Sequence, residues 1–117
     1  MATKYFTAVK DLSATAGGAS GDVVYTCPAN YVSVVKTIFV SNGASSAKKY
    51  SLQLYDASAT SYLTIADETT VAANTNDFVV QGGACIALQA GDKIVAFEES
   101  SSDFHVLVSG EEYFKGT

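Results

Sequence analysis

The chain has 117 residues, twelve acidic side chains against seven lysines and no arginine, for a formal net charge of −5. That length suits one domain, and the acidity without arginine argues against nucleic acid or an anionic membrane surface as partner, since arginine's planar fork dominates phosphate and guanine recognition. Hydrophobic residues make up 48% and charged residues 16%, which is apolar enough to fold around a core, yet no apolar run is long enough for a transmembrane helix.

In chain order the pattern is strand after strand. Residues 4–10 predict a first strand, followed by a small, uncharged loop over 13–21. Residues 23–27 and 32–41 predict two further strands around Pro28, the only proline, which fixes φ and lacks an N–H and so suits a corner between strands. Residues 49–56 alternate cleanly, with Tyr50, Leu52 and Leu54 on one face and Ser51, Gln53 and Tyr55 on the other. A strand over 62–67 carries Leu63 and Ile65 on one side, and residues 71–77 form a connection. Strands over 78–81 and 85–88 are divided by Gly82-Gly83. A hairpin-like turn, Ala90-Gly91-Asp92, leads into 94–97. Glu98 to Asp103 reads as a solvated acidic loop. The last strand covers 104–114, with Val106 and Val108 inward and a bulge expected at Gly110. No helix is predicted. Eight or nine short strands give an all-β, antiparallel β-sandwich, jelly-roll or Ig-like, organised as an N-terminal strand and loop over 1–22 and a sandwich over 23–117 within a single domain.

One strand breaks the alternation. Val34, Val35, Ile38, Phe39 and Val40 place apolar groups on both faces. Burial on both sides, a bulge, or cover by a neighbouring subunit would each explain this. The third reading makes Val34, Lys36, Ile38 and Val40 candidate interface residues. Tyr25, Tyr31, Tyr55 and Tyr62 join them as partly exposed rings, a type common at interfaces but equally common at sandwich edges.

Chemistry is sparse. His105, the only histidine, sits on a strand's outer face, and no Gly-x-Ser-x-Gly elbow accompanies it, so a small hydrolase has little to stand on. Cys27 and Cys85 lie far apart and in no metal spacing; they read as small buried hydrophobes or as a cross-strand disulfide. Glu111 and Glu112 point to opposite faces of a strand and cannot easily share an ion. No catalytic, metal or cofactor site is expected, and no enzyme activity.

Three stretches carry a family resemblance: Tyr25-Thr-Cys-Pro-Ala-Asn-Tyr-Val-Ser-Val-Val-Lys-Thr-Ile-Phe-Val-Ser-Asn42, Leu88-Gln-Ala-Gly-Asp-Lys-Ile94 and Val106-Leu-Val-Ser-Gly-Glu-Glu112. Together with Tyr50-Ser-Leu-Gln-Leu-Tyr-Asp56 they resemble small virion proteins of tailed bacteriophages, including marine and cyanobacterial phages. The resemblance spans roughly residues 23–114. Asn30-Tyr31 stands where many relatives have Gly-Lys, and Cys27 where valine is usual. It implies a non-enzymatic particle component assembled in the host cytoplasm: a head decoration (cement) protein bound to the major capsid protein. The alternative is a tail, neck or fibre-associated structural or receptor-binding, lectin-like module. Either would act as a homo-oligomer, with a trimer favoured.

Overall fold

The computed structural model describes residues 3–100 and 103–116; Met1 and Ala2 of the expected N-terminal strand region, Ser101 and Ser102 of the expected acidic loop, and Thr117 lie outside them. Nine strands run β1 (Thr3–Asp11), β2 (Asp22–Thr26), β3 (Tyr31–Asn42), β4 (Lys48–Asp56), β5 (Ser61–Val71), β6 (Asn76–Val80), β7 (Ile86–Leu88), β8 (Lys93–Glu98) and β9 (Phe104–Phe114). They form two antiparallel sheets. Sheet A has the order β1-β9-β3-β6, with β7 also paired to β3, and sheet B the order β2-β8-β4-β5. The pairs nest around the β4–β5 hairpin: β3 with β6 and β7, β2 with β8, β1 with β9. This is the strand order of a jelly roll, so of the two sandwiches the sequence allows, the topology selects that one.

The segment set apart as residues 1–22 is integral to the sandwich. All nine positions of β1 pair with β9, and Leu12 just after it is buried in the core. The core lies between the sheets. From sheet A it takes Val35, Ile38, Val40, Leu88, Val106 and Val108, and from sheet B Tyr50, Leu52, Ile94 and Ala96. Burying each large aliphatic side chain contributes roughly 1.5–3 kcal/mol.

A β-bulge resolves the two-sided strand. The β3–β9 register shifts between Val35 and Thr37. The extra residue, Lys36, changes the alternation phase, so Ser33 and Val35 face inward before it and Ile38, Val40 and Asn42 after it. Gly110 lies opposite, paired with Val35 and with Phe6. The bulge expected at Gly110 therefore belongs to β3, and Gly110 is the residue that lets β3 come close.

Loop 13–21 is not loose. Gly18 donates to Gln53 Oε1 (2.8 Å), and Asp22 Oδ2 accepts from the N–H groups of Ser13 and Ala14 (2.7 and 2.9 Å). A Cβ added to Gly17 would stand 2.7 Å from the Phe97 ring, and one on Gly21 would stand 2.5 Å from a Val95 methyl. The loop thus lies across the outer face of sheet B and buries Val95 there.

Other expectations are corrected by contacts from distant strands. The residues 90–92 turn is not a hairpin: β7 belongs to sheet A and β8 to sheet B, so it crosses between sheets. Asp92 locks that crossing, accepting from the N–H groups of Gln89 and Ala57, both at 2.9 Å. Asp92→Ala orphans both donors near the core, so a loss of about 2–3 kcal/mol in chemical denaturation is expected, against under about 1 kcal/mol for Asp56→Ala, whose bonds to Ser58 and Ala59 are open to solvent. Glu98 is buried rather than solvated, its carboxylate accepting from the N–H groups of Asp103 and Phe104. The cysteines are both free and differ in setting, Cys27 buried and Cys85 exposed.

Candidate assembly surface

The candidate surface is the outer face of sheet A. Alternation along β1, β9 and β3 sends Phe6, Val106, Val108, Ile38 and Val40 inward and their neighbours outward. Cross-strand register then builds transverse rows. One row is apolar across four strands: Val9 on β1 opposite Leu107 on β9, Leu107 opposite Phe39 on β3, Phe39 opposite Phe78 on β6. The rings of Phe39 and Phe78 meet edge-on, with centroids 4.9 Å apart. Val9 is 61% exposed and Phe78 44%; Leu107 and Phe39 are half-buried by their row. Nearer the end of the face Tyr5 is 83% exposed.

The polar and charged side chains that flank this row bond within the chain. On one side of the apolar row Asp11 Oδ1 pairs with His105 Nδ1 at 2.5 Å. On the other, Lys36 Nζ meets Glu111 Oε2 at 2.6 Å, and the Tyr113 hydroxyl donates to the same carboxylate. The Lys36 hydrogen bond, then that of Tyr113, holds the Glu111 carboxyl below the usual range; the same bonds raise the Lys36 ammonium and the Tyr113 phenol. The Lys36 bulge presents this ammonium outward. Between Tyr5, Thr7, Lys36, Ser109 and Glu111 lies a shallow depression of about 260 Å³.

Beneath the same end of the sheet, on its inner side, a polar cluster is sealed. The Tyr25 hydroxyl donates to Glu112 Oε2 (2.5 Å) and shares a 2.6 Å hydrogen bond with Ser33, whose hydroxyl also reaches Cys27 Sγ at 3.2 Å. Glu112 is 5% exposed, with Lys4 Nζ 3.5 Å away at its rim. Burial first, and the bond to Glu112 second, push the Tyr25 phenol up. Tyr50 is raised in the same way, by burial and by its 3.0 Å bond to Asp77 across the two sheets.

Of the candidate interface residues, Val34 and Lys36 lie on this outer face. Ile38 and Val40 do not: both are fully buried, because the bulge turns them into the core. Tyr25 is also buried, stacked on Phe6 at 4.1 Å. Tyr31 is half-buried at the sandwich end, edge-on to Phe114 at 5.4 Å and under Lys4. Tyr55 and Tyr62 pair with each other on sheet B, 4.8 Å apart, far from sheet A's outer face. Val9, Leu107, Phe39 and Phe78 are absent from that candidate set. Strict alternation in β1 could have flagged Val9, but Phe39 turns outward only once the bulge is known.

Elsewhere, a cleft of about 300 Å³ on sheet B is bordered by Lys49, Asp67, Glu68 and Glu99. Among the described residues no three His, Cys, Asp or Glu side chains are grouped to hold a metal ion, and no helix is long and apolar enough to cross a membrane. Glu111 and Glu112 do face opposite ways, one to Lys36 and one to Tyr25.

No family model matches the sequence, and no curated protein matches it. Solved structures share its fold. The Drosophila NLP core, from a crystal structure addressing pentamer formation and histone binding, superposes with a TM-score of 0.53 at 12% identity, over 94% of this chain and 98% of that one. A chain of infectious bursal disease virus, Gx strain, superposes with a TM-score of 0.51 at 10% identity over 99% of this chain. A second, from the T13 particle of the same virus, gives 0.50 at 9% identity over 94%. The present chain spans about a third of those viral chains, 33% and 30%. At such identities the likeness is one of fold: a two-sheet β-sandwich that occurs in a pentamer-forming protein and in virus particles.

Proposed function

We propose that this protein is a non-enzymatic structural component of a bacteriophage particle, a decoration protein that binds and stabilises the head. The observation that carries this reading is the outer face of sheet A, where an apolar row crosses four strands between two pairs of side chains bonded within the chain, the Lys36–Glu111 ion pair and the His105–Asp11 contact. Such a face suits close protein contact with little charge to desolvate. The sandwich fold shared with virus-particle chains supports the setting, and the resemblance of residues 23–114 to phage virion proteins supports the narrower assignment. Function then resides in repetition: many copies each bury a modest area, and symmetry and avidity multiply it.

Quantitative gel analysis of purified virions tests the assignment. A decoration protein is present in hundreds of copies, on the order of the capsid protein itself. Copies in single digits or low tens would move the protein to the tail or neck, and its absence from particles would end the virion reading.

A further inference from the structure

We propose that the outer face of sheet A is where two copies of this chain pack against each other, sheet on sheet, with the row Val9–Leu107–Phe39–Phe78 at the centre. The inference rests on the assembly reading above and assigns its contact surface and its occupant.

The two sheets are treated differently by the chain itself. Sheet B has its own cover, the loop 13–21, which buries Val95 and touches Phe97. No segment among the described residues lies over the apolar row of sheet A, so Val9 and Phe78 keep 61% and 44% of their surface. Among the described residues, three of the seven large hydrophobic side chains left exposed, Tyr5, Val9 and Phe78, share this one face.

Charge selects the occupant. Two copies bring together chains of net charge −5 each, so a self-contact requires a face where the acids are already answered. Here Asp11 is held by His105 and Glu111 by Lys36, within one copy. Glu111 is neutralised in this way, and Asp11, with its side chain 78% exposed, lies beyond the apolar row at the margin of the face, so the row itself brings no like charge into the contact. A basic partner would be drawn instead to Asp67, Glu68 and Glu99 beside the sheet B cleft.

Area is sufficient. Three strands at least nine residues long (β1, β9, β3), with five residues of β6 and three of β7 in a fourth column beside β3, make a face of roughly 19 by 30 Å at about 4.8 Å between strands and about 3.3 Å per residue. Pairing it buries roughly 1,100 Å² in total, above the about 1,000 Å² that a specific contact requires. Packed sheets stand about 10 Å apart, which leaves room for the Phe39 and Phe78 rings of both copies to interdigitate.

Sedimentation of the full chain tests this, with Val9→Asp and Phe78→Asp as independent variants and Leu63→Asp, exposed on sheet B, as control. The wild type and the control should self-associate. Each face variant should weaken association at least roughly thirtyfold, the scale of a lost hot spot, with its melting temperature and far-ultraviolet circular dichroism unchanged. Two surface variants guard against one that fails to fold. If the wild type assembles and both face variants still assemble, the face assignment is wrong while self-association stands. If the wild type is monomeric at about 100 µM, self-association itself fails. A monomeric wild type whose binding to particles is lost in Val9→Asp would give the face to a capsid protein and overturn the second copy as occupant.

Discussion

Gly110→Ala is expected to abolish the native fold or leave it barely stable. A Cβ at this position would stand 1.9 Å from the Val34 carbonyl oxygen, 2.9 Å from its carbon and 3.0 Å from Val35 Cα. All three are backbone atoms of the central strand, so no rotamer change relieves the clash. β3 and β9 must separate at the point where the Lys36 bulge brings them together, and their pairing carries both the core and the outer face of sheet A. The expected cost exceeds about 4 kcal/mol, at the far end of single-substitution effects and comparable with the whole stability of a small domain. Thermal unfolding by circular dichroism should show a midpoint at least about 15 °C lower, or no cooperative transition. Gly83→Ala is the control: nothing lies within 4 Å of its Cβ, and a change within about 0.5 kcal/mol is expected. A Gly110→Ala protein melting like the wild type would refute the close approach of β3 and β9.

Alkaline unfolding should be governed by two buried phenols. Tyr25 and Tyr50 are both raised above the ordinary tyrosine value of about 10, first by burial and then by donation to Glu112 and Asp77. The folded state therefore holds these protons more tightly than the unfolded chain does. Their contribution is fully present below about pH 10 and is lost as pH rises above it toward the folded values. Each phenol adds a slope of up to about 1.4 kcal/mol per pH unit. A domain of about 5 kcal/mol stability would lose it within roughly two pH units. Phenolate absorbance from these two rings should appear together with loss of near-ultraviolet circular dichroism. Tyr25→Phe should reduce the alkaline slope by about half. At neutral pH it should cost about 1–3 kcal/mol, because Glu112 loses a hydrogen-bond donor inside the sandwich. Smooth titration of every tyrosine with the fold intact would contradict the sealed Tyr25–Glu112 contact.

The two results would separate structure from assembly. Gly110 and Tyr25 act inside one copy, so their variants should lose stability and association together. Val9 and Phe78 act on the surface, so their variants should lose association alone.

Strand existence and most strand faces were legible in the sequence. The alternation of Tyr50, Leu52 and Leu54, or of Val106 and Val108, is a local property of extended backbone and needs no partner to be read. The outward placement of His105 and the opposed directions of Glu111 and Glu112 follow from the same period of two. β5 was legible only in part: it runs to Val71 rather than ending near 67, through a β-bulge at residues whose polar side chains mask the pattern.

What the tertiary structure alone decided depends on contacts between residues far apart in the chain. The Lys36 bulge exists because β3 must pair with β9 past Gly110, and that single extra residue sends Ile38 and Val40 inward and Phe39 outward. Glu98, Glu112 and Tyr25 are polar side chains that local reasoning assigns to solvent or surface. They are buried because backbone N–H groups and partners from strands up to 87 positions away satisfy them there. Residues 13–21 have the composition of a flexible loop, yet lie flat on sheet B because their glycines admit Phe97 and Val95 at close range. Composition and periodicity state which residues an isolated strand turns to either side; only the packed sheets state which side is covered, and the side left uncovered here is the outer face of sheet A.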